Sequence, residues 1–185
     1  MASHYTIVET SWGYAGLAAH DHGIRYSLLP QADPGIVADW LRGQLPEAEY
    51  QKNLLPSVGR NIKAYFKGDL TPFDDNIALD LNWATAFTRS VLLACRAIVP
   101  GQTRTYGQLA RAVGSPQSAR AVGGVMARNP LPLLIPCHRV LGAGGHLTGF
   151  SAIGGVDLKK RLLNHEGCEL NTTGCLLQET ACAYS

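Results

Sequence analysis

A cysteine, a histidine and an arginine follow one another directly at Cys137-His138-Arg139, after the apolar, proline-containing run 131–136. The thiolate is the reactive form of cysteine, and a free thiol with a pKa near 8.5 is only about 3% ionised at pH 7. A histidine base and a nearby arginine would raise that fraction, and we expect His138 to reach the sulfur through a bridging water. The alternative interpretation is a buried structural cysteine beside a surface histidine.

The backbone before this cysteine is restricted by proline. Pro136 fixes its own φ angle and favours an extended conformation at Ile135. We therefore expect Cys137 to lie on a stiff, apolar strand.

Charge is distributed unevenly along the 185 residues, although the net charge is only +2. Residues 1–88 carry 6 basic and 10 acidic side chains, whereas residues 89–161 carry 10 basic side chains and a single acidic one, Asp157. Such an imbalance is typical of a segment that binds a polyanion such as nucleic acid. Spaced arginines also occur on ordinary solvated helix faces, so charge alone does not decide the function.

Composition excludes several classes of protein. Hydrophobic residues make up 46% of the chain and charged residues 16%, which indicates a globular protein. The apolar runs are too short to cross a membrane, and the N-terminus lacks a signal-peptide pattern. Five cysteines form an odd set without the spacing of a secreted disulfide framework. We expect a cytoplasmic or nuclear (nucleoid-associated) protein that is not secreted and does not bind membranes.

The first half of the chain has an α+β pattern. Apolar and alternating segments separated by turn residues predict a small antiparallel sheet. Two helices follow, and both have an apolar face. The predicted strands cover 5–10, 14–19, 24–29 and 77–81, and the predicted helices begin at Asp33-Pro34 and near Ser57.

The second half is mostly helical and changes in character near Asp80. A helix is predicted over 83–99 with Cys95 on its apolar face, and two short helices over 105–113 and 117–128 form a helix-turn-helix. The small residues of the second short helix allow close packing on protein or close approach to a nucleic-acid groove, and the positive charge favours the groove.

A carboxylate closes the predicted last helix, 156–165, at Glu166. Negative charge is disfavoured at a helix C-terminus, so Glu166 is expected to have a buried partner, and His138 is the candidate. Glu166, His138 and Cys137 would then form a triad of orienting carboxylate, base and nucleophile. The same triad would serve a cysteine hydrolase. We expect an N-terminal supporting domain over 1–82, a DNA-binding domain that carries the reactive cysteine over 83–167, and a loosely ordered tail over 168–185.

Three blocks of sequence together resemble the O6-alkylguanine-DNA alkyltransferases, also called methylated-DNA–protein-cysteine methyltransferases. They are Pro136-Cys137-His138-Arg139-Val140, the upstream Arg120-Ala121-Val122-Gly123-Gly124 with Asn129-Pro130, and the downstream Leu162-Leu163-Asn164-His165-Glu166-Gly167. The resemblance implies DNA repair by irreversible transfer of an alkyl group from O6-alkylguanine to Cys137, one event per molecule. O4-alkylthymine is a second candidate substrate.

The resemblance also implies roles for further residues. It implies a duplex-DNA partner contacted in the minor groove, a flipped base, a monomer, and neither cofactor nor metal, since the cysteines that bind zinc in some relatives are missing. The implied catalytic residues are Cys137, His138, Glu166, Asn129 and Tyr106; the implied substrate and DNA contacts are Arg120 (which fills the gap left by the base), Tyr106, Val140, Ser151, Phe150, Ala119 and Arg128.

This chain departs from many relatives at one point, because Ala152-Ile153 stand between Phe150-Ser151 and Gly154-Gly155, and Phe150 replaces a frequent tyrosine. A DNA-binding regulator that uses cysteine alkylation as a signal remains an alternative function, as does the hydrolase.

Overall fold

The computed structural model describes residues 2–171, which form the predicted α+β fold. The chain divides into two compact units. The first contains the residues up to Trp83 together with 130–134, and the second contains 84–129 and the described residues from 135 onward. This division differs from the predicted one by a single residue at the boundary and by the placement of 130–134. The end of the predicted tail, with Cys175 and Cys182, lies outside the described residues.

The first unit is built on a four-stranded sheet. Its strands β1 (His4–Thr10), β2 (Gly13–His20) and β3 (Gly23–Gln31) are antiparallel neighbours, as predicted. The sequence pattern missed β4 (Glu49–Tyr50), which pairs in parallel with β1 and is only two residues long. The strand order is β3-β2-β1-β4.

Two amphipathic helices complete the first unit. Helix α1 (Pro34–Gln44) begins at Asp33, whose side chain accepts a hydrogen bond from the N–H of Gly35, and this N-cap satisfies a donor that the helix leaves unpaired. Helix α2 spans Pro56–Phe66. The buried faces consist of Val37 and Leu41 in α1, and of Val58, Ile62, Tyr65 and Phe66 in α2.

The predicted strand over 77–81 is wrong. This segment makes one isolated bridge, between Leu79 and Ile24. The carboxylate of Asp80 accepts the N–H of Asn82 at 3.0 Å, which turns the chain away from an extended ladder.

Residues 130–134 belong to the first unit because of Ser27 in β3. The backbone N–H of Ser27 donates to the carbonyl of Pro130 at 2.9 Å, and its hydroxyl donates to the carbonyl of Pro132 at 2.8 Å. Leu131, Leu133 and Leu134 are all buried. A short apolar run that the sequence assigns to the second domain is therefore part of the first.

The second unit is mostly helical. Helix α3 (Ala86–Arg96) buries Cys95 completely, as predicted. The helix-turn-helix consists of α4 (Tyr106–Ala112), which opens with a capping box between Thr105 and Gln108, and α5 (Ala119–Ala127). Strands β5 (Arg104–Thr105) and β6 (Val140–Leu141) form a short parallel pair, and α6 covers Gly155–His165.

The packing of the second unit extends past the predicted boundary at residue 167. Cys168 is only 6% exposed and packs with Leu141 and Leu163. No helix within residues 2–171 is long and apolar enough to cross a membrane.

Candidate active site

Cys137 opens a single turn of 3₁₀ helix, Cys137–Arg139, and does not lie on the predicted strand. The N–H of Arg139 donates to the carbonyl of Pro136 at 2.9 Å, which closes the turn. Extended structure begins only at Val140, the first residue of β6. Proline restricts the residue before it, as expected, but it does not extend the chain after it.

Asn129, which follows α5, is hydrogen-bonded to the cysteine segment. Its Nδ2 donates to the carbonyl of Ile135 at 2.7 Å. This bond links the end of the helix-turn-helix to the backbone two residues before Cys137.

Glu166 lies at the end of α6 and binds two side chains of the cysteine turn. Its Oε1 is 2.8 Å from Nε2 of His138, the partner predicted from the sequence. Arg139 donates from Nε to Oε2 at 2.9 Å and from Nη2 to Oε1 at 2.7 Å. The Arg139 guanidinium also donates from Nη1 to the carbonyl of Ile98. All three side chains are buried, so the carboxylate is shared between an imidazole and a guanidinium.

The protonation states of this buried cluster follow from its contacts. Burial alone would raise the pKa of Glu166, but the hydrogen bonds and charges of His138 and Arg139 outweigh burial and hold that pKa well below its usual value. Burial lowers the pKa of His138, although Glu166 partly offsets the shift. Near neutral pH the cluster therefore contains an ionised carboxylate and a neutral imidazole.

An ionised carboxylate can only accept hydrogen bonds, so Nε2 of His138 carries the ring proton. Nδ1 is left as the acceptor. Nδ1 is buried and makes no hydrogen bond to any protein atom within residues 2–171. The geometry thus fixes the tautomer that leaves one nitrogen free to take a proton.

The expected rise in the thiolate fraction of Cys137 is wrong for this structure. Cys137 is 5% exposed. Burial raises the pKa of its thiol, which a hydrogen bond from Asn129 and the positive charge of Lys159 only partly oppose. Arg139 is bound to Glu166 instead of the sulfur.

Lys159 is a buried cation that the sequence pattern missed. It is fully buried in α6, and its Nζ donates to the carbonyl of Val140 at 2.6 Å. Burial lowers its pKa to about 8. Lys159 and Arg139 are two of the ten basic residues of 89–161. Because both side chains are buried, neither can contribute to a nucleic-acid-binding surface.

The helix-turn-helix presents the other predicted contacts. Arg120 is exposed in the first turn of α5, and Arg128 is exposed at its C-cap, whereas Ala119 is half-buried. Tyr106 begins α4, and its hydroxyl lies 3.0 Å from Oγ1 of Thr148. Gly123 faces the Tyr106 ring, because a Cβ placed there would lie 3.9 Å from two ring carbons.

The chain resembles known proteins over nearly its full length. The model of the 6-O-methylguanine DNA methyltransferase DNA-binding domain matches residues 86–168. A methylated-DNA–protein-cysteine methyltransferase of Methanosarcina acetivorans is 36% identical over 165 residues, which cover 89% of this chain and 98% of that protein. The chain belongs to the methylated-DNA–protein-cysteine methyltransferase family.

Other members of the family agree with this assignment. The methylated-DNA–protein-cysteine methyltransferase of Mycobacterium tuberculosis strain H37Rv is 46% identical over 105 residues, or 57% of this chain and 61% of that one. The crystal structure of the M. tuberculosis O6-methylguanine methyltransferase superposes with a TM-score of 0.69 at 32% identity and covers 89% of this chain and 92% of its own. The structure of the same organism's protein in complex with DNA gives a TM-score of 0.71 at 33% identity, over 88% and 92%.

The remaining residues implied by family resemblance lie in an irregular stretch before α6. Phe150 is half-buried and Ser151 is exposed. The two glycines that follow the extra Ala152-Ile153 pair have φ angles of +103° and +53°. Their left-handed backbone gives the entry to α6 a conformation that favours glycine.

The lowered pKa of His138 predicts how the reaction rate falls at low pH. Protonation removes the acceptor at Nδ1, so the rate of alkylation of Cys137 by O6-benzylguanine should fall as pH falls through the pKa of His138. Because that pKa is lowered, the midpoint of the fall should lie below about pH 6.5, the ordinary histidine value. Single-turnover rates measured by mass spectrometry from pH 5 to 8 test this. A midpoint above pH 7 would contradict a buried, neutral His138.

Proposed function

We propose that this protein repairs DNA by transferring the alkyl group of O6-alkylguanine irreversibly to Cys137. The observation that carries the proposal is the buried Glu166–His138 pair directly beside Cys137, in the same unit as the helix-turn-helix. Family membership chooses alkyl transfer over hydrolysis. The relatives named above are methyltransferases, and the M. tuberculosis protein has been crystallised with DNA.

The chemistry uses His138 as the base. The Cys137 thiol gives its proton to Nδ1 of His138 through a bridging water, and Glu166 stabilises the imidazolium that forms. The sulfur then attacks the alkyl carbon, the carbon–O6 bond breaks, and its electron pair leaves with the guanine. The product is a thioether without a good leaving group, so each molecule reacts once.

Alignment contributes more to the rate than ionisation does. Complete conversion of a thiol to thiolate gains only about thirtyfold at pH 7. Fixed alignment of sulfur, carbon and leaving oxygen can contribute roughly 7–11 kcal/mol. The structure supports this order, because Cys137 is held on a short turn by hydrogen bonds while burial raises its pKa.

On the DNA side, α5 would enter the minor groove of the duplex. Its small residues permit close approach, and Arg120 would occupy the gap left by the flipped base. Arg128 and Ala119 would line the same contact. The flipped guanine would be read by backbone groups of Cys137 and Val140, with Tyr106, Phe150 and Ser151 around it, and a monomer would suffice.

The first prediction of this proposal is the stoichiometry of the reaction. Excess duplex DNA containing O6-methylguanine should add about 14 Da (one CH₂) to the protein, on Cys137 only, and the reaction should stop after about one event per molecule. The thioether cannot return its alkyl group, which is the physical reason. Intact-protein and peptide mass spectrometry measure both results.

Two variants serve as controls for that experiment. Cys137→Ser should abolish transfer, whereas Cys95→Ala should leave it intact because Cys95 is a fully buried core residue in α3. Sustained turnover by the wild type would rule out the irreversible mechanism.

The second prediction separates DNA handling from chemistry. Arg120→Ala should slow repair of duplex DNA by about tenfold or more. Without the arginine side chain the gap stays open, and the flipped base can return to the stack. Reaction with free O6-benzylguanine should change by less than about twofold.

Arg60→Ala is the matched control, since Arg60 is an exposed arginine on α2 of the first unit. Equal losses on duplex and free base in Arg120→Ala would show that Arg120 acts in the chemistry or supports the fold. A loss of duplex repair in Arg60→Ala would show a general effect of positive charge.

A further inference from the structure

Thr148 makes the side-chain hydrogen bond that fixes the hydroxyl of Tyr106. The two oxygens are 3.0 Å apart, and either can be the donor. Tyr106 lies at the start of α4, whereas Thr148 lies in the loop between β6 and α6. Both side chains are only partly buried.

The loop that carries Thr148 is folded back on itself. The N–H of Gly142 donates to the carbonyl of His146 at 2.9 Å. A Cβ at Gly142 would lie 2.8 Å from Cγ2 of Thr148, so the threonine methyl packs against a position that only glycine leaves open. In this arrangement the methyl of Thr148 lies towards Gly142 and its hydroxyl lies towards Tyr106.

The ring of Tyr106 faces α5. A Cβ placed at Gly123 in α5 would lie at ordinary van der Waals distance, 3.9 Å, from two ring carbons. The ring thus lies beside the second helix of the helix-turn-helix, and its oxygen is hydrogen-bonded to the loop.

We propose that Thr148 is a positioning residue that keeps the proton of Tyr106 available for the leaving guanine. This inference rests on the proposed function. A phenol has one proton, and its oxygen also accepts hydrogen bonds. When Thr148 donates to that oxygen, the phenol proton points to the substrate. The same bond stabilises the negative charge that grows on the oxygen as Tyr106 gives up its proton.

The proposed step forms one bond, breaks one bond and moves one proton to the leaving guanine. The sulfur–carbon bond forms with the electron pair of the thiolate, and the carbon–O6 bond breaks with its pair going to the purine. The phenol proton of Tyr106 moves to the anionic guanine. Solvent later returns a proton to the phenolate and takes one from the His138 imidazolium, so no net proton is gained or lost. Thr148 changes no bond and only donates a hydrogen bond.

A double-mutant cycle tests the proposal with O6-benzylguanine as substrate. Thr148→Val keeps the shape and removes the hydroxyl, and it should slow the reaction about tenfold or more, the low end of the effect of a hydrogen bond to a charged group. Thr148→Ser keeps the hydroxyl and should react within about twofold of the wild type. In a Tyr106→Phe background, Thr148→Val should cause no further loss, because the two groups act as a unit.

The outcomes separate this proposal from the function on which it rests. A wild-type protein that transfers no alkyl group to Cys137 would overturn the function itself. If the wild type reacts, three results would overturn the role of Thr148. Thr148→Val could react at the wild-type rate, or Thr148→Ser could be slowed as much as Thr148→Val. In the Tyr106→Phe background, Thr148→Val could slow the reaction by the same factor as in the wild type. Thr148→Ala replaces Thr148→Val if the valine variant unfolds, with the same expected coupling.

Discussion

The rest of the active site depends on the hydrogen bonds that the Glu166 carboxylate accepts from His138 and Arg139. The carboxylate lies at the end of α6, where the helix dipole disfavours negative charge, and it is buried. The bidentate bond from Arg139 and the bond from His138 compensate for both disadvantages. Removing one partner of a buried ion pair typically costs about 3–5 kcal/mol, because the other charge stays unpaired. The same contact therefore stabilises the second unit and orients its base.

The chemistry of Cys137 follows from that arrangement. The network does not surround the sulfur with positive charge, so the thiol is protonated at rest. It supplies instead a neutral imidazole with a fixed tautomer, which in the proposed mechanism takes the proton when the substrate is present. A buried thiol with a raised pKa reacts slowly with electrophiles that are not held in position beside it.

Much of this could be predicted from the sequence, and the errors share a physical reason. Helix periodicity and capping residues located the six α-helices of residues 2–171, and the dipole argument identified the Glu166–His138 contact. Patterns of neighbouring residues could not predict the positions of the Arg139 and Lys159 side chains, because both depend on backbone carbonyls that are distant in sequence. Arg139 donates to the carbonyl of Ile98, and Lys159 donates to the carbonyl of Val140. For the same reason, the sequence did not assign 130–134 to the first unit, where Ser27 binds the carbonyls of that run.

The state of His138 is the central claim, and nitrogen NMR of the resting protein tests it most directly. With ¹⁵N-labelled histidine at pH 7, His138 should show one protonated nitrogen, Nε2, and one unprotonated nitrogen, Nδ1. Substitution of the other histidines assigns the signal. An imidazolium with both nitrogens protonated, or a neutral ring protonated at Nδ1, would contradict the account, because neither leaves Nδ1 able to accept the proton of Cys137.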